Sequence, residues 1–295
     1  MTARQQTGKQ TPRIAYQGEP GANSHIACLE VHPEMAPLAC RTFEDVFAAV
    51  ESGEAALAMI PVENTVAGRV ADIHHLIPRS NLFIVGEHFL PIHHQLMAPK
   101  GATLEGLKTV HSHVHALGQC RSLIRKLGLE PVIAADTAGA AREVAALGDP
   151  TRAAIAPALA AEIYGLEILK ANIEDEAHNT TRFLIMAREP LKIAPGEGPV
   201  VTSFVFRVRN VPAALYKALG GFATNGVNMT RLESYQVDGT FLSTQFFADV
   251  EGHPEERSLR LAFEELAFFT TYMRMLGTYP ASPLRTHLFG KVEKN

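Results

Sequence analysis

The chain repeats one local pattern several times, and this repetition is what most restricts its fold. Each copy consists of a short apolar run, a polar turn and then apolar residues spaced as on one face of a helix. The clearest helix begins after Thr42, a residue type that caps helix N-termini, and ends at Gly53. Alternating strands and helices indicate an α/β fold with a mainly parallel sheet, in which ligands collect beyond the carboxyl ends of the strands.

The same pattern predicts element boundaries. After a strand at residues 14–16, Asn23 or Ser24 is expected to cap the next helix. The apolar strand at 55–60 is expected to end at Pro61. The helix after it is expected to carry the apolar residues Val66, Val70, Ile73 and Ile77. Later copies are expected to start with strands at 109–110, 132–135 and 153–156.

Two extended apolar runs, residues 82–98 and 184–187, interrupt and follow these copies. We expect them to be two crossings between two lobes, which predicts a hinged cleft like that of a periplasmic binding protein. The segment Asn179 to Phe183 then lies at the hinge. It contains a hydroxyl and a guanidinium, and a guanidinium can hold a carboxylate with two parallel hydrogen bonds.

Residues 189–199 contain three prolines and two glycines and mark a linker. They separate a first domain at 13–188 from a second domain at 200–280. In the second domain, Pro212 indicates a helix start and Asp238-Gly239 a hairpin turn, which predicts the βαββαβ order of a ferredoxin-like sandwich. The remaining segments are expected to be a disordered tail at 1–12 and a C-terminal tail at 281–295.

The charge and the apolar runs exclude some partners. With a formal net charge of −4 over 295 residues, the chain has no general attraction for nucleic acid or for an anionic membrane. No apolar run approaches membrane-spanning length, and Met1 to Pro12 lack the apolar core of a signal peptide, so a cytoplasmic protein is expected. Three cysteines without metal-type spacing are expected to be reduced core thiols, namely Cys28, Cys40 and Cys120.

The sequence can be searched for the residue patterns of known metal, nucleotide-binding and nucleophile sites. His111, His113 and His115 would share one face of an extended segment, but no acidic residue lies close enough to complete a metal site, and solvated or capping histidines are favoured. Gly18 and Gly21 lack the third glycine and the acidic partner of a dinucleotide site, and no Gly-x-Ser-x-Gly motif activates a serine. What remains is a pocket of neutral donors with Arg182 as its charged anchor: Asn23, Ser24, Asn64, Thr65, Ser112, Gln119, Thr137 and Thr181. Each of these, taken alone, is also explained as a helix cap or a turn residue.

Five segments taken in order are more specific than any one of them. They are Gln17 to Ser24, Pro61 to Thr65, Ser112-His113 with Gln119-Cys120, Asp136 to Ala138, and Asn179 to Phe183. Together they resemble the ordered motifs of prephenate dehydratases over residues 14 to 280. The second domain resembles an ACT domain, which in this family senses phenylalanine.

This resemblance implies a cofactor-free and metal-free reaction, in which prephenate loses its ring hydroxyl and ring carboxylate to give phenylpyruvate, carbon dioxide and water. Thr181 matches the family's catalytic threonine and is expected to donate a hydrogen bond to the departing hydroxyl. Arg182 is expected to anchor a substrate carboxylate. Further residues matching the family's cleft are Glu63, Asn64, Ser112 and Gln119, with Asn23, Ser24, Thr65 and Thr137 expected to bind substrate.

The second domain departs from the family's sensor motifs. Ala213 replaces the glycine of a Gly-Ala-Leu-Val motif, and Tyr235-Gln236 replaces Arg-Pro after Glu-Ser. Phenylalanine is nevertheless the expected effector, and two such domains are expected to pair in a homodimer or homotetramer. The candidate effector contacts are Ala214, Leu215, Asn225, Asn228, Glu233 and Ser234.

Two alternatives stay open on sequence grounds. An arogenate dehydratase would perform the same chemistry on a substrate with an amino group in place of the side-chain keto oxygen. A non-catalytic small-molecule sensor would also combine a hinged cleft with a small ligand-sensing domain.

Overall fold

The computed structural model describes residues 11–70, 73–176, 178–237 and 244–285. The chain divides into two compact units. The first unit comprises the residues up to Met59 together with Asn64–Gly68 and Leu90–Thr181. The second unit comprises Ile60–Glu63, Arg69–Phe89 and the residues from Arg182 onward. Among the described residues, no helix has both the length and the apolar character needed to cross a membrane.

The chain up to residue 187 alternates strands with short helices, as the repeated pattern predicts. The elements are β1 Arg13–Gln17, α1 Asn23–Val31, β2 Ala36–Cys40, α2 Phe43–Ser52, β3 Leu57–Asn64, β4 Gly68–Arg69, α3 Ile73–Leu76, β5 Phe83–Pro91, β6 Gln95–Ala98, β7 Thr109–Ser112, α4 Val114–Gln119, α5 Arg121–Leu127, β8 Glu130–Ile133, α6 Thr137–Leu147, β9 Arg152–Ala156, α7 Ala158–Tyr164, β10 Glu167–Lys170 and β11 Thr180–Ala187. Helix α2 confirms its predicted limits, because Thr42 forms a capping box with Asp45 and Gly53 ends the helix with a φ of 86°.

The first sheet has the strand order β2-β1-β3-β11-β5, with β4 paired to β3. Strand β1 runs parallel to both β2 and β3, and Tyr16 pairs with Met59 at the end of the β1–β3 ladder. Three strands of this sheet, β3, β5 and β11, contribute residues to both units.

The second sheet lies in the first unit and has the order β10-β6-β9-β7-β8. Strands β7, β8 and β9 are parallel to one another, whereas β6 is antiparallel to both of its neighbours, β9 and β10, so the sheet is mixed. Alternate residues of β9 point into two hydrophobic clusters. Ile155 packs with Leu117 and Ile124 of the α4–α5 side, and Ala154 packs with Val144 of the α6–α7 side. The sheet is therefore covered by helices on both faces.

The chain after residue 199 forms an antiparallel sheet with two helices. Its elements are β12 Val200–Val208, α8 Ala214–Thr224, β13 Met229–Gln236, β14 Thr244–Glu251, α9 Arg257–Phe269 and β15 Thr270–Pro280. The strand order β13-β14-β12-β15 and the βαββαβ sequence are those of a ferredoxin-like sandwich, which confirms the predicted topology. Its core includes Phe204, Phe206 and Phe222.

Some predicted boundaries are wrong, for identifiable reasons. Strand β3 continues through Pro61 to Asn64, beyond Met59, the last residue of β3 that pairs with β1. The helix expected at Val66 and Val70 is instead a turn followed by β4, since Val70 N donates to the Val62 carbonyl. Among the described residues of this stretch, the helical ones are Ile73–Leu76.

Three helix starts also differ from the expectation. Ala22, not Asn23 or Ser24, is the N-cap of α1, and it provides no side-chain hydrogen bond. The helix expected after residue 113 is divided at Cys120 into α4 and α5. Helix α8 begins two residues after Pro212, following Ala213, whose φ is 61°. The predicted turn Asp238-Gly239 and most of both predicted tails lie outside the described residues.

Candidate active site

Strand β11 begins beside the end of β3, and Thr65 joins the two. Thr65 N donates to the Thr180 carbonyl at 3.0 Å, and Thr180 N donates to Thr65 Oγ1 at 2.9 Å. The Thr65 hydroxyl itself donates to the carbonyl of His178 at 2.7 Å. Thr65 therefore fixes the backbone next to Thr181. This is a structural role for a residue that was predicted to bind substrate.

The Asn64 side chain has one defined orientation. Its Oδ1 accepts hydrogen bonds from the backbone N–H groups of Val66 and Ala67 at 2.9 and 2.7 Å, and only an oxygen can do so. The amide nitrogen must then face Asn179 Oδ1 at 2.7 Å and Thr181 Oγ1 at 2.9 Å. Since a backbone turn sets the amide, Asn64 donates to the Thr181 hydroxyl oxygen.

The orientation of Asn64 determines the polarity of the groups beyond it. Asn179 accepts from Asn64, so its own amide nitrogen donates to Gln119 Oε1 at 3.0 Å. His94 Nε2 lies 2.8 Å from the same Gln119 oxygen and must therefore carry the proton. His94 Nδ1 has no hydrogen-bond partner among the described residues, which fits a neutral imidazole. We call Thr181, Asn64, Asn179, Gln119 and His94 the amide chain.

His94 stays uncharged in this position. Burial lowers the pKa of His94 below its usual value, and the Gln119 hydrogen bond and the nearby Glu174 carboxylate only partly oppose this effect. Glu174 also accepts from the backbone N–H of His94 at 2.9 Å and from His93 Nδ1 at 2.8 Å. The histidine is thus held in place by a carboxylate that does not contact its imidazole proton.

Two donors of the amide chain are not used within it, namely the Thr181 hydroxyl and the Gln119 amide nitrogen. The Asn64 N–H occupies an acceptor position on Thr181 Oγ1, so the Thr181 hydroxyl proton points away from this bond. Likewise, Gln119 uses its oxygen for both Asn179 and His94, so its amide nitrogen takes no part in those bonds. The first unit therefore presents neutral hydrogen-bond donors with fixed polarity, an arrangement suited to stabilising negative charge as it develops on a ligand.

The second unit contains Arg182, and the structure corrects its predicted role. Its guanidinium donates to Glu87 at 2.9 Å, to Glu63 at 2.9 Å, to Asp249 at 2.6 Å and to the Tyr279 hydroxyl at 3.1 Å. The side chain is only 3% exposed. Successive residues of a strand point to opposite faces, so Arg182 cannot share the direction of Thr181. Arg182 is thus paired with three protein carboxylates instead of anchoring a substrate carboxylate.

The charges around Arg182 stabilise one another. Burial opposes ionisation of Arg182, but Asp249, Tyr279, Glu87 and Glu63 together raise its pKa well above the usual value. Burial also works to raise the pKa of Asp249, but the neighbouring arginines, chiefly Arg182, hold it below its usual value. Both groups are therefore ionised over the whole physiological range.

The comparisons with known proteins agree with this geometry. A family model described as prephenate dehydratase matches residues 14–191. The chain belongs to the prephenate dehydratase family. The match spans both sheets of the chain up to residue 187, and it includes every member of the amide chain.

Relatives and solved structures of this family cover nearly the whole chain. The chain is 53% identical to a bifunctional N-acyl-homoserine lactone acylase/prephenate dehydratase of Komagataeibacter europaeus, over 92% of this chain and 97% of that protein. It is 41% identical to the chloroplastic arogenate dehydratase 3 of Arabidopsis thaliana, over 91% of this chain and 67% of that protein. The crystal structure of a prephenate dehydratase from Arthrobacter aurescens in complex with L-Phe is similar with a TM-score of 0.83 and 29% identity, covering 91% of this chain and 90% of that one. The predicted α/β fold of the periplasmic-binding-protein kind with a ferredoxin-like domain is confirmed.

Other residues matching the prephenate dehydratase motifs are not members of the amide chain. The Ser112 hydroxyl is buried and donates to the Ile155 carbonyl at 2.6 Å. Asn23 and Ser24 are the first residues of α1, and Thr137 is the first residue of α6. Among the described residues, no hydrogen bond joins these side chains to the amide chain. Their roles in substrate binding stay predictions.

The turn that carries the first family motif is packed tightly within the first unit. A Cβ added at Gly21 would lie 2.8 Å from Ala160 Cα, and the φ of Gly21 is 93°, so only glycine fits there. The Pro20 carbonyl accepts from the Tyr164 hydroxyl at 2.9 Å. Helix α7 thus fixes the turn that leads into α1.

The candidate effector residues of the second unit have structural contacts of their own. Asn225 caps α8 and donates to Glu265 of α9 at 3.0 Å. Glu233 lies 3.1 Å from Arg231, and the Ser234 carbonyl accepts from Arg69 at 3.2 Å. The other candidates are placed at the start of α8, for Ala214 and Leu215, and before β13, for Asn228.

Sequence reasoning placed Asn179 in a family motif without giving it a contact, and it did not single out His94, Glu87 or Asp249. Glu87 and Asp249 carried a usable signal, because each interrupts an apolar strand that should be buried. The hydrogen-bond partners of Asn179 and His94 carried no such signal, since they are distant in sequence.

Proposed function

We propose that this chain catalyses the decarboxylating dehydration of prephenate to phenylpyruvate. The observation that carries the proposal is the 2.9 Å hydrogen bond from Asn64 to Thr181 Oγ1, which leaves the threonine proton for a ligand. The reaction needs such a donor, because the ring hydroxyl departs with a developing negative charge. Membership of the prephenate dehydratase family supports the same choice.

The electron flow requires no redox partner. The bond between the ring and its carboxylate breaks, carbon dioxide leaves, and the electron pair forms the aromatic ring while the carbon–oxygen bond to the ring hydroxyl breaks. The departing oxygen takes the electron pair of the broken carbon–oxygen bond and becomes water after gaining one proton. A threonine hydroxyl is a weak acid, so Thr181 supplies a hydrogen bond as charge develops, and solvent supplies the proton. The Gln119 amide is a second donor of the same fixed kind.

Arogenate is the alternative substrate. Of two relatives at about 40% identity, one is named arogenate dehydratase and the other arogenate dehydratase/prephenate dehydratase, and both substrates share the ring at which bonds break. We favour prephenate because the relative at 53% identity carries prephenate dehydratase in its name. Comparing kcat/KM for the two substrates under one set of conditions decides the preference.

A second candidate activity comes from the same relative, whose name includes N-acyl-homoserine lactone acylase. An acylase needs a nucleophile or water activated by a base. Ser112 gives its proton to a carbonyl and His94 gives its Nε2 proton to Gln119, so neither of these two residues forms a hydroxyl–imidazole pair. A hydroxyl–imidazole contact does occur between Thr109 Oγ1 and His111 Nε2, at 3.0 Å. Release of homoserine lactone from an N-acyl-homoserine lactone, measured by chromatography, tests this activity independently.

Regulation by phenylalanine is part of the proposal. Support comes from the ferredoxin-like topology after residue 199, which suits an ACT domain, and from the Arthrobacter aurescens relative in complex with L-Phe. We place the catalytic domain at 13–188, the linker at 189–199 and the regulatory domain at 200–280. We further propose that the protein is cytoplasmic and that it forms a homodimer or homotetramer. Sedimentation with and without phenylalanine tests the oligomeric state.

The main experiment follows phenylpyruvate by its alkaline absorbance for the wild type, Thr181→Val and Thr181→Ser. The valine variant keeps the shape but removes the donor, so kcat is expected to fall more than about a hundredfold. The serine variant keeps the hydroxyl and is expected to retain most of the activity. A valine variant as active as the serine variant would refute the donor role of Thr181, and a wild type inactive on both prephenate and arogenate would refute the proposed function.

A further inference from the structure

Strands β3 and β11 are joined by side chains on both of their faces. On one face, Asn64 donates to Thr181 Oγ1 at 2.9 Å. One residue earlier on β3 and one residue later on β11, Arg182 donates to Glu63, also at 2.9 Å. Because successive strand residues alternate between faces, the ion pair and the amide–hydroxyl bond lie on opposite sides of the same two strands. Two peptide bonds, Glu63–Asn64 and Thr181–Arg182, connect them.

The ion pair is itself held by a buried and fully hydrogen-bonded set within the second unit. Glu87, whose side chain is fully buried, is contacted by two nitrogens of Arg182 and by two nitrogens of Arg285. Asp249 of β14 accepts from both Arg182 and Ser203. The guanidinium therefore has little freedom, and Glu63, at 34% exposure, is the member of the set nearest to solvent.

We infer that Arg182 is a positioning residue, which through Glu63 sets the distance between Thr181 and Asn64 and so aims the Thr181 donor. This inference rests on the proposed function. Catalytic groups are sensitive to such shifts, since displacement by about 1 Å can cost about a hundredfold in rate. The Asp249 carboxylate accepts from the same Arg182 nitrogen that donates to Glu63, which further fixes the guanidinium.

The test uses Glu63, because removal of Arg182 would leave Glu87 and Asp249 buried without a partner and could unfold the protein. Glu63→Ala removes the acceptor for Arg182, and Glu63→Gln retains an acceptor oxygen without the charge. We expect kcat to fall by about 10- to 100-fold in the alanine variant and by less in the glutamine variant, with KM changed by less than about threefold. Thermal unfolding checks that both variants remain folded.

A second background separates positioning from direct contact with substrate. In Thr181→Val there is no donor left to aim, so adding Glu63→Ala is expected to lower kcat by less than about twofold. Multiplicative losses in the double variant would show that Glu63 acts independently, and would overturn the inference. If the residual rate is too low to compare, a crystal structure of Glu63→Ala decides. A Thr181–Asn64 distance that remains near 2.9 Å there would also overturn it.

Failure of the proposed function and failure of the positioning role of Arg182 give different results. A wild type that forms no phenylpyruvate from prephenate and consumes no arogenate removes the proposed function. A wild type that turns over normally, with independent effects of Glu63 and Thr181, removes only the positioning role of Arg182.

Discussion

Asn64→Asp is expected to be more damaging than Asn64→Ala, although it is the smaller change in shape. Asn64 donates both to Asn179 Oδ1 at 2.7 Å and to Thr181 Oγ1 at 2.9 Å. A carboxylate oxygen in place of the amide nitrogen cannot donate, so the Thr181 hydroxyl must turn and donate to it. The proton that the proposed reaction requires is then bound within the protein.

The magnitude follows from the loss of one catalytic donor, which typically lowers kcat by about 10²–10³-fold, or about 2.7–4 kcal/mol. The alanine variant loses the orienting amide but leaves the hydroxyl proton free, so we expect a smaller decrease, of about tenfold. The new carboxylate also repels an anionic substrate. Protonating it at low pH restores a donor, so activity of the aspartate variant relative to wild type should rise as the pH falls.

The assay measures kcat and KM for prephenate at several pH values for the wild type and both Asn64 variants, with thermal unfolding as the control for folding. Val66 and Ala67 N–H groups are exposed, so water can replace the acceptor lost in the alanine variant. An aspartate variant that is as active as the alanine variant at neutral pH would refute the proposed direction of the Asn64–Thr181 hydrogen bond.

Three predictions concern stability. A Cβ at Gly277 would overlap the Ile84 carbonyl oxygen, so Gly277→Ala should lower the free energy of unfolding by about 1–3 kcal/mol or more. Gly220 lies in open space on α8, so Gly220→Ala should raise the free energy of unfolding by up to about 1 kcal/mol. Urea unfolding of the two variants and the wild type measures both changes. Ala213→Gly should stabilise by up to about 1 kcal/mol, because glycine accepts the φ of 61° without strain; an unchanged urea midpoint would contradict this. Burial, helped by nearby arginines, lowers the pKa of His74 to about 4, and Glu233 Oε2, at 3.2 Å from His74 Nε2, opposes this effect. Between pH 6.5 and 4 the unfolded chain binds a proton that the folded chain does not, so the free energy of unfolding should fall as the pH decreases through that range. His74→Gln should flatten the pH dependence of thermal unfolding, and an unaltered slope would refute that assignment.

Local chemistry was sufficient to predict the elements whose ends it controls. Helix α2 could be delimited because Thr42 and Gly53 act within four residues of the helix. The βαββαβ order could be predicted because strand alternation and helical spacing are also local patterns. Pro61 misled the prediction because the cost of a proline in a strand depends on whether a neighbouring strand needs its N–H, and that neighbour is not visible in the sequence.

The candidate site was likewise predictable only in part. Thr181 and Asn64 were identifiable by their motifs, but the hydrogen bond that joins Asn64 to Asn179 spans 115 residues, and nothing local specifies its direction. Arg182 was misassigned because a guanidinium beside a catalytic residue is a plausible carboxylate anchor. Its actual partner Asp249 comes from a strand 67 residues later, so only the fold determines which carboxylate it binds.

The placement of Arg182 away from Thr181 also makes chemical sense for the proposed reaction. As the ring carboxylate becomes carbon dioxide, its negative charge moves to the departing hydroxyl. A guanidinium bound to that carboxylate would stabilise the substrate more than the transition state and would slow the reaction. Neutral donors aimed at the hydroxyl act where charge develops, so they stabilise the transition state selectively. With its charge directed to Glu63, Glu87 and Asp249, Arg182 can order the strand that carries the donor without opposing the loss of carbon dioxide.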